Sequence, residues 1–121
     1  MPKESFFKNR MRSVGYALRG LLLLLRTEAS IKVQFFIALL ATAAGFYLEI
    51  SATEWMMQLL AIGLVLGIEG LNTAIEKLAD FVHPDHHAKI GFIKDVSAGA
   101  VMFVSLMAFI VGLLIYLPKL I

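Results

Sequence analysis

The sequence predicts an all-α membrane protein in which three transmembrane helices follow an amphipathic surface helix. Hydrophobic residues make up 60% of the 121 residues, and the mean hydropathy is +0.82. Soluble domains contain only about 45–50% apolar residues. Three apolar segments also approach the about 20 residues that a helix needs to cross a bilayer. One domain over 1–121 is expected, and its small size favours an oligomer.

The first element, residues 4–27, is predicted to lie on the membrane surface rather than to cross it. Its residues Lys8, Arg12, Arg19 and Arg26 project within about 40° of one another on a helical wheel, opposite a broad apolar face. A cationic stripe of this kind is typical of a helix lying on anionic lipid. The same cations can also bind phosphate groups. Lipid anchoring and phosphate binding are therefore two alternative roles for this helix.

The three predicted spans are residues 33–50, 55–76 and 97–117. The second begins at Trp55, a residue type that anchors helices at the membrane interface. The third begins with small residues that allow helices to approach closely, and it is expected to end at Pro118.

The distribution of Lys and Arg predicts the orientation of these spans. Seven of these residues precede the first span, and three lie between the second and the third. The turn 51–54 contains none, and the C-terminal tail contains only Lys119. The positive-inside rule therefore predicts a cytoplasmic N-terminus and a cytoplasmic second connection.

The second predicted span carries Glu69, Asn72 and Glu76 near its cytoplasmic end. At 100° per residue these side chains fall within about 60° of one another. An ionised group at membrane depth costs about 2.5 kcal/mol or more, so a protein-lined or water-filled site is expected here. A structural hydrogen-bond network between subunits, a non-catalytic assembly protein and a transporter or proton-relay subunit are the alternatives. A relay would extend across the bilayer, whereas these polar residues are confined to one side.

These residue types indicate phosphoryl transfer, which needs carboxylates for a divalent cation, cations for phosphate oxygens and a base beside the attacking hydroxyl. Glu28 and Glu76 are candidate ligands for Mg²⁺, which prefers oxygen ligands. Glu69 is the candidate general base, and Asn72 is expected to orient it or a substrate oxygen. Lys94 supplies positive charge. The sequence contains no cysteine, which excludes thiol chemistry and disulfides.

The segment Glu69-Gly-Leu-Asn72-Thr-Ala-Ile-Glu76 resembles the signature of the prokaryotic diacylglycerol kinase family, which includes undecaprenol kinases. Nearly the whole chain follows the family pattern. Further matches are Gly15-Tyr16, Arg19-Gly20, Glu28, Asp80 and Lys94-Asp95.

The resemblance implies a homotrimer in the bacterial inner membrane, with composite active sites on the cytoplasmic side. It implies transfer of the γ-phosphate of MgATP to a membrane lipid alcohol, with Glu69 as the catalytic base and Asn72 in support. ATP, Mg²⁺, the lipid alcohol and the bilayer are the expected partners, and nucleic acid is not expected. The metal ligands would be Glu28 and Glu76. The ATP-binding residues would be Arg10, Tyr16, Glu28, Glu76, His86, His87, Lys94 and Asp95.

Several positions depart from the pattern of the proteobacterial diacylglycerol kinases. Gln34 stands in place of an acidic residue, and Asn9 stands where arginine is frequent, with Arg10 beside it. The loop 83–87 is more similar to undecaprenol kinases, so either lipid is a candidate acceptor. Gln34 in place of the acidic residue slightly favours undecaprenol. The histidines of this loop are also weighed as a zinc site, and Lys94-Asp95 as the start of the third helix with Asp95 near its first amides.

Overall fold

The computed structural model describes residues 5–121, which form four α-helices and no strand. The helices are α1 (Phe6–Thr27), α2 (Ala29–Tyr47), α3 (Ala52–Val82) and α4 (Ala88–Leu120). By length and composition α2, α3 and α4 can each cross a membrane. The predicted class, an all-α membrane protein with three candidate spans after an N-terminal helix, is confirmed.

Ser5 caps the start of helix α1, because its hydroxyl accepts a 3.2 Å hydrogen bond from the backbone N–H of Lys8. No residue of α1 is buried within the described chain. Large apolar side chains such as Phe7 and Leu22 are exposed there. An apolar face left open in a soluble protein would be costly, so this helix suits a lipid surface.

A tight turn joins α2 to α3 and depends on one glycine. A Cβ added at Gly45 would lie 2.8 Å from the ring of Trp55, so only glycine lets this indole pack against α2. Glu49 adopts a left-handed backbone conformation with φ of 51°. Ser51 and Glu54 then form a capping box that starts α3.

Helices α3 and α4 form the most extensive contact between elements. Helix α3 continues six residues past the predicted span end at 76, and α4 begins nine residues before 97. Hydropathy detects only the apolar part of a helix, whereas these polar turns continue beyond it. The expected helix end at Pro118 is wrong, because α4 continues to Leu120. A proline this close to the C-terminus removes only one backbone hydrogen bond from the last turns.

Polar contacts join the three spanning helices at the end of the bundle where α2 turns into α3. The amide nitrogen of buried Gln58 donates a 3.1 Å hydrogen bond to the carbonyl oxygen of Ala41. The Tyr116 hydroxyl donates to the amide oxygen of Gln58 and lies 3.0 Å from the same carbonyl. Lys119 and Glu54 form a 3.0 Å ion pair nearby. These bonds satisfy polar groups that lipid cannot.

Candidate active site

The predicted polar site lies at the opposite end of the bundle. Because α2, α3 and α4 alternate in direction, the start of α2, the last turns of α3 and the first turns of α4 meet there. Two ion pairs connect these elements, Glu28 with Lys77 and Asp80 with Lys94. The residues that the sequence singles out on three different segments therefore share one end of the molecule.

Glu69 is buried in α3, with 7% of its surface exposed. Its carboxylate has no hydrogen bond to any residue of the described chain. The adjacent Gly70 faces α1, since a Cβ at this position would lie 3.1 Å from a methyl group of Leu24. The residue as a whole is buried, but Asn72 Oδ1 is the single buried side-chain oxygen or nitrogen without a partner in residues 5–121, so the Glu69 carboxylate keeps some access to solvent. It is available to accept a proton or a hydrogen bond from a ligand.

Asn72 and Glu76 lie on the same face of α3, one turn apart. The amide nitrogen of Asn72 donates a 3.3 Å hydrogen bond to a carboxylate oxygen of Glu76. The amide oxygen of Asn72 is buried and has no hydrogen-bond partner. Glu76 itself is exposed. An unpaired oxygen beside an accessible carboxylate is a suitable start for binding a hard cation or a hydroxyl group.

Glu28 is the single residue between α1 and α2. Its backbone is extended, with φ of −103° and ψ of 116°, and its side chain makes no capping hydrogen bond. The carboxylate instead lies 3.7 Å from the ammonium group of Lys77 on α3. Lys77 follows Glu76 in sequence, and consecutive helix residues point about 100° apart. Glu28 therefore lies at the same end of α3 as Glu76.

The predicted nucleotide contact Lys94 forms an ion pair with Asp80, across the α3–α4 hairpin. Both Lys94 and Asp95 lie in the second turn of α4, because His87 caps the first turn by accepting a 3.1 Å hydrogen bond from the Lys89 amide. The expectation that Asp95 lies near the first amides of this helix is therefore wrong. The polar residues 88–95 already form helix, which hydropathy does not reveal.

The histidine loop is ordered by contacts within itself. His83 Nδ1 lies 2.8 Å from the carbonyl oxygen of Asp85, and the rings of His83 and His87 meet edge to face at 5.1 Å. His86 is exposed. Within residues 5–121 no cluster of three or more His, Cys, Asp or Glu side chains could hold a metal ion, so the zinc alternative gains no support.

The candidate nucleotide residues of α1 are not joined to α3 or α4. The Arg10 guanidinium lies 5.2 Å from the centre of the Phe6 ring, and Arg19 lies 5.8 Å from that of Tyr16. Neither Arg10 nor Tyr16 forms a hydrogen bond or ion pair with another helix in the described part of the chain. A single protomer thus brings Glu28 and Lys94 to the last turns of α3 through Lys77 and Asp80, but it leaves Arg10 and Tyr16 apart from α3 and α4.

Comparison with known proteins gives the site a context. The sequence model of the prokaryotic diacylglycerol kinase family matches residues 15–116, which include Tyr16, Glu28, Glu69 and Lys94. The chain belongs to the prokaryotic diacylglycerol kinase family. The expected relationship and the expected enzyme class, a phosphotransferase acting on a lipid alcohol, are confirmed at this level.

Individual members of the family are similar over most of their length. The undecaprenol kinase of Bacillus subtilis strain 168 is 40% identical over 95% of this chain and 90% of its own. The diacylglycerol kinase of Escherichia coli K12 is 28% identical over 86% of this chain and 85% of its own. The diacylglycerol kinase of a Synechocystis strain is 31% identical over 93% of this chain and 65% of its own.

Two charged residues of this diacylglycerol kinase family member, Asp80 and Lys77, received no role from the sequence. Asp80 and Lys94 have opposite charges fourteen residues apart across a helical hairpin, so charge complementarity between antiparallel helices would have suggested their pairing. Lys77 offered no such signal, because Glu28 precedes it by 49 positions and lies on another element. Both residues contact members of the predicted site.

An apolar groove of about 610 Å³ runs between α2, α3 and α4. Gln34 lies on its wall, together with apolar residues such as Val65 and Phe109. The groove is partly open to the surroundings of the bundle. Its walls suit hydrocarbon, and Gln34 is one of the few polar groups that line it.

Proposed function

We propose that the protein is a lipid kinase of the bacterial inner membrane that transfers the γ-phosphate of ATP to the hydroxyl of a membrane lipid at the cytoplasmic face. One observation carries the proposal: Glu69, which has no hydrogen bond in the described chain, lies on the same helix face as Asn72 and Glu76, at the end of the bundle where Glu28 meets α3. Membership of a lipid kinase family supports the reaction class.

In the proposed reaction Glu69 removes the proton from the acceptor hydroxyl. The oxygen then attacks the γ-phosphorus in line, a new P–O bond forms, and ADP leaves with the electrons of the broken bond. Asn72 orients the hydroxyl through its unpaired amide oxygen. The low exposure of Glu69 limits contact of the base with bulk water.

The residues present fit a bound Mg²⁺ ion. The carboxylates of Glu28 and Glu76 are hard oxygen donors, and Mg²⁺ commonly combines one or two carboxylates with nucleotide phosphates and water. When bound, the ion would supply charge neutralisation at the phosphates. Glu28 and Glu76 would hold the ion, and Glu69 would act on the acceptor hydroxyl beside it.

Charged and polar residues around this face are proposed to bind the nucleotide. Lys94 balances the phosphate charge and is held in position by Asp80. Asp95, His86 and His87 lie near the same α3–α4 connection and are proposed to contact the nucleoside.

Arg10 and Tyr16 are proposed to reach the nucleotide in a homotrimer, where α1 of one subunit lies beside the α3 face of its neighbour. Their separation from α3 and α4 within one protomer supports a composite site.

The acceptor is proposed to place its hydrocarbon in the groove between α2, α3 and α4. We favour undecaprenol over diacylglycerol, because the relative named undecaprenol kinase is 40% identical and the relative named diacylglycerol kinase of Escherichia coli is 28% identical. Gln34 on the groove wall is a neutral group, in keeping with a prenyl chain along an uncharged wall.

The proposal is tested by incubating the purified protein in lipid micelles with γ-labelled MgATP and either undecaprenol or diacylglycerol. Label is expected in undecaprenyl phosphate, with less in phosphatidic acid. Preference for diacylglycerol would overturn the acceptor assignment alone. Product from neither lipid, where an active family member gives product, would contradict the kinase function.

A further inference from the structure

Lys77 forms an ion pair with the carboxylate proposed to bind the divalent cation. Its ammonium nitrogen lies 3.7 Å from Glu28 Oε1. The Lys77 side chain is 74% exposed, whereas that of Glu28 is only 24% exposed. The lysine therefore reaches from solvent toward a carboxylate that the fold holds in a more enclosed place.

The Glu28 carboxylate has no other use within the local structure. It makes no capping hydrogen bond to α2, although it occupies the capping position. Glu76 precedes Lys77 on α3, so further negative charge lies close to the same junction. Like charges raise the free energy of each ionised carboxylate, and a nearby cation lowers it.

A lysine side chain can form an ion pair with such a carboxylate and leave it again. Its ammonium is a compact point charge on a flexible four-carbon chain. Exposed ion pairs of this kind are weak, so the side chain can leave when a stronger cation arrives. The Asp80–Lys94 pair differs in this respect, because the Lys94 side chain is 37% exposed and is less free to move into solvent.

We propose that Lys77 is a resident counter-cation that competes with the divalent metal ion for Glu28. This inference rests on the proposed function, in which Glu28 is a metal ligand. Lys77 stabilises the site before the metal–nucleotide complex binds and is displaced on binding. It thereby raises the metal concentration needed for occupancy and regulates the site through metal supply.

The test measures binding of Mn²⁺, used as the probe, to the purified full-length protein in micelles at low salt with a non-hydrolysable ATP analogue. The electron paramagnetic resonance signal of free Mn²⁺ reports the dissociation constant. Lys77→Ala is expected to tighten Mn²⁺ binding about threefold to tenfold, because it removes the competing charge. Lys77→Arg, which keeps the charge, is expected to stay within about twofold of the unsubstituted protein.

Lys89→Ala provides the matched control. It removes the same charge from an exposed lysine on the first turn of α4 that forms no ion pair in the described chain. It is expected to change Mn²⁺ affinity less than twofold. In a Glu28→Gln background, Lys77→Ala is expected to lose its effect, because the two residues act through one contact.

Unchanged or weaker Mn²⁺ binding by Lys77→Ala would overturn the inference. Equal tightening by Lys89→Ala, or tightening that persists with Glu28→Gln, would overturn it as well. If Glu28→Gln abolishes Mn²⁺ binding altogether, the double substitution gives no information. The Mn²⁺ affinities of Lys77→Ala and Lys89→Ala are then compared, and the inference requires tighter binding in Lys77→Ala only. The proposed function is judged separately, since phosphate transfer by the unsubstituted protein is measured without Mn²⁺. Transfer that proceeds while Lys77→Ala leaves metal affinity unchanged rejects the counter-cation alone.

Discussion

The amide nitrogen of Asn72 donates a 3.3 Å hydrogen bond to Glu76, and this bond leaves the Asn72 amide oxygen buried and unpaired. The bond fixes which way the amide points. One side of the group steadies a carboxylate, and the other leaves an acceptor oxygen unpaired on the helix face that also carries Glu69. The asymmetry suits a residue that orients reacting groups.

Replacing Asn72 tests this positioning role. Asn72→Ala is expected to lower kcat about 100-fold, because it removes both the support for Glu76 and the free oxygen. Labelled phosphate transfer to lipid would measure the change. A kcat within twofold of the unsubstituted protein would show that the amide is only structural.

Glu69→Gln keeps the size of the side chain but removes its ability to accept a proton. We expect kcat to fall about 10²- to 10⁴-fold, the range for loss of a general base, with little change in nucleotide affinity. Phosphate transfer and binding of a fluorescent ATP analogue give the two quantities. Near-normal turnover would refute the assignment of the base, whereas a parallel loss of nucleotide binding would indicate a disturbed fold.

Asp80→Ala frees Lys94 from its ion pair. The KM for ATP is expected to rise about threefold to tenfold with a smaller change in kcat, because a mobile lysine binds phosphate less well. Stability is expected to change by at most about 1 kcal/mol, since the pair is partly exposed.

Asp85→Ala is the control for this change, because it removes the same charge from the neighbouring loop, where only the backbone oxygen of Asp85 is used. Equal effects of the two substitutions on KM would mean that net charge, and not the Lys94 contact, is responsible.

Gly45→Ala is expected to destabilise the protein by about 1–3 kcal/mol. The new Cβ would lie 2.8 Å from Trp55 and 3.1 Å from Ile50, so the ring must move from its packed position. Trp55 is the single tryptophan of the sequence, and its fluorescence during thermal unfolding therefore reports directly on this contact.

Gly91→Ala serves as the comparison, since nothing lies within 4 Å of a Cβ added there. Its melting temperature is expected to stay the same or to rise slightly, because alanine is the better helix former. A similar loss of stability in both variants would contradict the packing argument.

Much of the architecture follows from local patterns. Apolar segments near bilayer length identify the three spanning helices, because lipid satisfies no backbone hydrogen bonds and so favours helix. The shared face of Asn72 and Glu76 follows from the helical period alone. Hydropathy does not predict where these helices begin and end. It places the end of α3 at residue 76 and the start of α4 at 97, whereas polar helical turns extend to Val82 and back to Ala88.

The sequence by itself determined the class of protein, the order of its helices and the residues on the polar face of α3, since each depends on composition or on a short periodic pattern. Only the tertiary structure decided that Lys77 meets Glu28, that Lys94 meets Asp80 and that Trp55 covers Gly45. A local pattern specifies the side of a helix on which a residue lies. Which residue of a neighbouring helix it contacts depends on how the helices pack. Packing depends on many simultaneous contacts between segments that are distant in sequence.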